Sequence, residues 1–124
     1  MGIRPTKNAH PAQAYLKPAR RYRFFILGDA RGPYAAGALA EHPDSLEVHL
    51  EVLRFGPGVL RALRADMEEL KRMARRQGKS RLVALRAECG PVPDARWPKF
   101  MRLVGFTSHR QYQAAELELG HDQG

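Results

Sequence analysis

The stretch Leu46-Glu47-Val48-His49-Leu50-Glu51-Val52-Leu53-Arg54-Phe55-Gly56-Pro57-Gly58 decides the fold. Leu46, Val48, Leu50 and Val52 alternate with Glu47, His49, Glu51 and Leu53, and successive side chains of a strand point to opposite faces. Residues 46–54 are therefore expected to form a strand with one apolar and one polar face. Gly56, Pro57 and Gly58 mark a tight turn after it. Beyond the turn, Leu60, Leu63, Met67, Leu70 and Ala74 recur at three- and four-residue steps. That is the spacing of one helix face, and it stops at Gly78.

Working outward, residues 22–27 (YRFFIL) form a compact aromatic and branched run that ends at Gly28 and Asp29, which reads as a buried strand and a turn. Residues 34–41 (YAAGALAE) are small enough for either a helix or a close-packed strand. Downstream, residues 81–86 (RLVALR) read as a short apolar strand. Asp94 can cap a second helix that runs through Met101 and Leu103 to a stop at Gly105-Phe106, with Pro98 in its first turn and Trp97 packing it on the sheet. Residues 110–119 alternate loosely, as a last strand would. The order strand, strand, strand, helix, strand, helix, strand implies an antiparallel meander followed by right-handed crossovers with parallel pairing. The expected fold class is a mixed α/β sheet in a single domain.

The chain has 124 residues, a hydrophobic share of 44%, and 21 Lys and Arg against 13 Asp and Glu, a net charge of +8. This is enough apolar material for one folded domain, which at this size buries roughly two-thirds of its unfolded surface. No apolar run approaches the ~20 residues of a membrane span, and none looks like a secretion signal, so a cytoplasmic protein without a membrane partner is expected. The single cysteine, Cys89, excludes an internal disulfide and a thiolate zinc cage. It has no identifiable base partner, as a nucleophile would. His10, His42, His109 and His121 lack metal-ligand spacing, so no metal is expected.

The charge lies in two blocks. Residues 1–23 carry six basic side chains and no acidic one, and residues 58–79 carry seven basic and three acidic. Each block is either a solvated face or a surface for an anionic partner. Tyr15 and Tyr22 stand among the first six, a combination that suits phosphate contact with base stacking, although no reading motif accompanies it.

Taken together, the strand at 46–54, the Gly56-Pro57-Gly58 turn, the long helix, the RLVALR strand and the ending Phe100-Met101-Arg102-Leu103-Val104-Gly105-Phe106 resemble the GCN5-related N-acetyltransferase fold. The resemblance divides the chain into a basic segment at 1–20, a transferase-like domain at 21–119 and a tail at 120–124. The opening Ile3-Arg4-Pro5-Thr6-Lys7 is similar to the start of acetyltransferase-like internal virion proteins of short-tailed bacteriophages. That similarity implies a phage or prophage origin and virion partners.

The resemblance implies acetyl-CoA as cofactor and an amine, free or on a protein, as acceptor. A CoA pyrophosphate needs backbone N–H groups at a positive helix end. Gly56 and Gly58 would let the backbone approach it, with Arg54, Arg61 and Arg64 adding charge. The family pattern is Arg or Gln, two residues, Gly, one residue, then Gly or Ala, with a leucine three residues on. If Leu63 is that leucine, Phe55 replaces the arginine and Leu60 takes the second small position, where it would crowd the pyrophosphate. Either the register slips, with Arg54 serving, or the site is degenerate. Pro57 also removes one donor from the turn.

For the chemistry, the family places a carboxylate on the strand before the turn. Glu47, His49 and Glu51 share one face of that strand, as a catalytic base set or as a solvated strand face. The family's tyrosine position is held by Met101; Phe100 beside it has no hydroxyl, and Tyr112 is a candidate substitute that nothing in the spacing requires. Three readings remain open: an acyl-CoA-dependent N-acetyltransferase, a non-catalytic virion or partner-binding protein on the same fold, and a nucleic-acid-binding module. An exposed sheet edge allows a homodimer.

Overall fold

The computed structural model describes residues 2–86, 94–110, 114–117 and 119–120. Five strands lie side by side in chain order: β1 Gly2–Thr6, β2 Arg23–Asp29, β3 Gly32–Glu41, β4 Ser45–Val52 and β5 Arg81–Ala84. The first four pair antiparallel, and β5 returns parallel to β4 after the helix α1, Pro57–Arg76. A second helix, α2, spans Arg96–Leu103. The mixed α/β sheet expected from the chain order is therefore present, with the early meander and the later parallel pair.

Three details differ from the expectations or resolve them. Residues 34–41 are a strand, because the segment lies between β2 and β4 and its small side chains let both neighbours close in. At Gly37 a side-chain carbon would fall 2.1 Å from the Phe25 ring across the strand pair, so the aromatic occupies the space that glycine leaves. β1 lies inside residues 1–20 and pairs with β2 over all five positions, so that segment belongs to the sheet rather than preceding it. The described residues of 110–119, namely 110, 114–117 and 119, carry no strand.

Each face of the sheet is covered. On one, Leu27, Tyr34, Leu46 and Val48 meet Leu63, Met67 and Leu70 of α1 and Met101 of α2 in the main core, against which Trp97 and Leu60 also pack. α1 ends where Gly78 adopts φ 75°, a left-handed conformation that suits glycine. Asp94 Oδ1 accepts from the Arg96 backbone N–H at 2.9 Å at the start of α2, and Pro98 is third in the helix, as the sequence implies. On the opposite face the alanines of β3 leave a shallow trough. It is filled by residues 9–22, with Leu16 set on Phe24 and Ala38.

Candidate functional site

The end of β4 is fastened by two backbone N–H groups, Leu53 and Arg54, which both donate to the Tyr34 carbonyl at 2.8 and 3.3 Å. The chain then passes Phe55 and enters α1 at Pro57. Neither Gly56 nor Gly58 has a heavy atom within 4 Å of where a side-chain carbon would stand, and both are exposed. Leu60 turns instead into the edge of the main core. Leu60 thus points away from the turn, which is open and has no side-chain cap, although Pro57 has no N–H and the Val59 N–H donates to the Gly56 carbonyl at 3.1 Å.

The three arginines of this region divide. Arg54 donates to Asp29 Oδ1 at 2.6 Å and to the Gly32 carbonyl at 3.0 Å, bracing the β2–β3 turn. That hydrogen bond is the main reason the Asp29 carboxyl sits below its usual range. Arg64 donates through Nε to the Leu103 carbonyl at 2.9 Å, closing the end of α2. Arg61 is exposed and, with Gly58, Asp29 and Arg31, lines a concavity of about 390 Å³ beside the start of α1. Of the sequence-derived cofactor set, Gly56, Gly58 and Arg61 surround open space, whereas Arg54 and Arg64 have structural partners.

β5 pairs with β4 only from Ser45–Arg81 to Val48–Ala84, with the Leu85 N–H reaching the Val48 carbonyl at 3.2 Å. β4 continues to Val52, so among the described residues its last part has β3 on one side and no strand on the other. This opening leads from mid-strand to the glycine turn.

Glu47, His49 and Glu51 stand on the face opposite α1, but the first two are not solvated. Glu47 is 5% exposed and His49 9%, since residues 9–22 lie over them. Glu47 Oε2 meets His49 Nε2 at 2.5 Å; Glu47 Oε1 meets His42 Nε2 at 2.8 Å and accepts from Arg21 at 3.3 Å. Burial raises the pKa of Glu47, but the hydrogen bonds from His49 and His42 outweigh it and hold the carboxyl below its usual range. The Tyr22 ring stands edge-on to His49 at 5.6 Å. Glu51 is half-buried and accepts from the Tyr15 hydroxyl at 2.6 Å. Gln13, fully buried, donates to the carbonyls of Ala36 and His49 at 3.4 and 3.3 Å.

The solvated-face alternative for Glu47 and His49 is thus overturned by tertiary contact. His42, Arg21, Tyr15 and Gln13 are members of the site that local pattern did not reveal. Only His42 had a local signal, in the Pro43-Asp44 turn that brings it back beside β4, where its N–H donates to the Ser45 carbonyl at 3.0 Å. Met101 is buried in the main core and Phe100 packs against that core, so neither presents a polar group to the opening. Tyr112, Cys89 and His121 lie outside the described residues. Among the described residues no group of His, Cys, Asp or Glu could hold a metal ion, and no helix is long and apolar enough to cross a membrane.

No protein-family model matches the chain, and no curated protein matches it by sequence. Solved structures do. A ribosomal-protein-alanine N-acetyltransferase from Brucella melitensis biovar Abortus 2308 superposes with a TM-score of 0.54 at 15% identity, covering 82% of this chain and 77% of that one. A structure described as a probable acetyltransferase gives 0.53 at 11% identity, covering 83% and 71%. One from Agrobacterium tumefaciens strain C58, described as an acetyltransferase, gives 0.51 at 14%, covering 78% and 69%. The mixed sheet with its two helices is a GCN5-related N-acetyltransferase fold.

Proposed function

We propose that this chain binds an acyl-CoA, acetyl-CoA in the first instance, with the pyrophosphate against the start of α1, and passes the acyl group to an amine. The observation that carries this reading is the open Gly56–Gly58 turn at an uncapped helix start, next to the place where β4 and β5 part. The Gly58 backbone N–H, the positive end of the helix and the Arg61 guanidinium supply the charge that a diphosphate requires. Arg54 and Arg64 act indirectly by fixing the β2–β3 turn and the end of α2.

In the transfer, the amine nitrogen bonds the acyl carbon, the carbon–sulfur bond breaks, one proton leaves the nitrogen and one reaches the sulfur. Glu47, His49 and Glu51 are the groups on β4 able to take that proton, and Glu51 is the most exposed of them. Calorimetry with acetyl-CoA and with CoA tests the reading: binding at micromolar affinity is expected, and Gly58→Glu abolishes it by setting a carboxylate against the phosphates. No heat with either ligand defeats it.

A second reading is a non-catalytic protein that binds a virion or other partner through the same fold. It is favoured by Met101, which brings no hydroxyl, and by the cover over Glu47 and His49. Robust turnover with any amine counts against it.

A further inference from the structure

The layer formed by residues 9–22 has an unbalanced charge. Of the six basic residues before Phe24, Arg21 pairs with Glu47 at 3.3 Å and Arg23 with Glu41 at 3.9 Å. Arg4, Lys7, Lys17 and Arg20 are exposed, and among the described residues their side chains have neither an ion pair nor a hydrogen bond. The outer side of α1 is different: Lys71 pairs with Glu68 at 2.6 Å, and Arg72 and Arg76 pair with Glu69 at 2.9 and 3.3 Å. These three helix cations are neutralised locally, whereas the four of the opposite layer are left to solvent.

Strand register locates Arg4 on this face, and the contacts of neighbouring residues locate Lys7, Lys17 and Arg20 relative to it. Arg4 lies in the row that continues through Ile26 and Ala36 to Glu51, where the Tyr15 hydroxyl is anchored. Thr6, just before Lys7, begins the row of Phe24, Ala38 and His49. Leu16 sits on Phe24 and Ala38 and so holds Lys17 over that row, while Arg21, next to Arg20, reaches Glu47 in the following one. From the Glu51 row to the Glu47 row is about 13 Å at ~3.3 Å per residue. The Tyr15 side chain is fixed at its hydroxyl yet the residue is 53% exposed, which leaves ring surface open on this face.

We propose that this face binds single-stranded nucleic acid, with Arg4, Lys7, Lys17 and Arg20 on phosphates and the Tyr15 ring against a base. Cations spaced along a groove with an exposed aromatic are the combination that follows a flexible polyanion and stacks its bases. A membrane surface fits less well, because Tyr15 is the one large apolar side chain exposed in this layer and nothing else there can enter lipid. These cations are on the sheet face opposite α1. The inference does not rest on acyl transfer.

The test is fluorescence anisotropy of the full chain with labelled twelve-nucleotide oligothymidylate and oligouridylate over a salt series, without acyl-CoA. Four phosphate contacts at ~0.7 each give a slope of about −3 in log affinity against log salt, a roughly fifty-fold loss between 50 and 200 mM. The combined Lys7→Gln, Lys17→Gln and Arg20→Gln variant brings the slope to about −1, with thermal melting unchanged because none of the three has a folded-state partner. Tyr15→Leu weakens binding roughly tenfold and leaves the slope alone. Arg72→Gln with Arg76→Gln has no effect. Absence of binding at low salt, a triple variant with the parental slope, or equal affinity for an oligoglutamate peptide or for vesicles of anionic phospholipid overturns the proposal. Each of these results leaves the calorimetric test of acyl-CoA binding untouched.

Discussion

Glu47 and His49, two residues apart on β4, are joined through Oε2 and Nε2 at 2.5 Å on a face covered by the amino-terminal part of the chain. A carboxylate so placed survives burial because His42 and Arg21 share its other oxygen.

Glu47→Gln should therefore cost about 1–3 kcal/mol in urea unfolding at neutral pH, since three donors lose a charged acceptor. The folded-state pKa of Glu47 is depressed, so its contribution is whole above the ordinary value of 4.5 and is lost as pH falls below it. The gap between variant and parent should narrow progressively as pH falls below that value. A gap that stays constant over that range contradicts the assignment.

Asp66 behaves in the opposite sense. It is buried on α1, accepts from the Tyr34 hydroxyl, and is raised above its ordinary value of 3.8 chiefly by burial. The folded chain then holds the proton more tightly than the unfolded one, so stability falls as pH rises through the window just above 3.8. Asp66→Asn keeps an acceptor for Tyr34 and removes the buried charge. Its Tm at pH 7 should rise by about 2–4 °C; a lower Tm would show that the carboxylate is needed ionised.

Gly37→Ala forces a methyl group into the Phe25 ring. The expected cost is about 1–3 kcal/mol or more, from overpacking in the middle of the sheet. Adding Phe25→Leu should recover part of it, and a double variant that is merely additive would deny the contact.

Met101→Tyr tests whether the missing hydroxyl can simply be restored. Because Met101 is enclosed in the main core, the larger polar side chain should destabilise by about 1–3 kcal/mol and expose α2 to faster proteolysis. A variant as stable as the parent, with new thioester-cleaving activity, would place position 101 at the opening instead.

Much of the frame was legible because it is local. Alternation at 46–54, three- and four-residue spacing from Leu60 to Ala74, and glycines at the joints each act within a few residues, and β4, α1 and the turn between them follow. β1 was missed for an equally local reason: Gly2, Arg4 and Pro5 show no alternation, and Pro5 is tolerated because the strand is at the sheet edge. Alternating polarity records that two faces differ without stating that the polar one meets water. The cover over Glu47 and His49 depends on contacts such as Gln13 to His49, 36 residues apart. The structural partners of Arg54 and Arg64 were illegible for the same reason, since they lie 25 and 39 residues away.

The trough left by the alanines of β3 also sets the order in which the molecule comes apart. Among the described residues, fourteen buried ones form the cluster on the α1 face against three on the other, and in the thinner layer Gln13 Oε1 is buried without a hydrogen-bond partner. Residues 9–22 therefore form the weaker cooperative unit. Their amides should exchange with solvent by local opening, while those of α1 wait for global unfolding. Every such opening wets Glu47 and His49, so the access of bulk water to this pair is set by the fastening of Leu16.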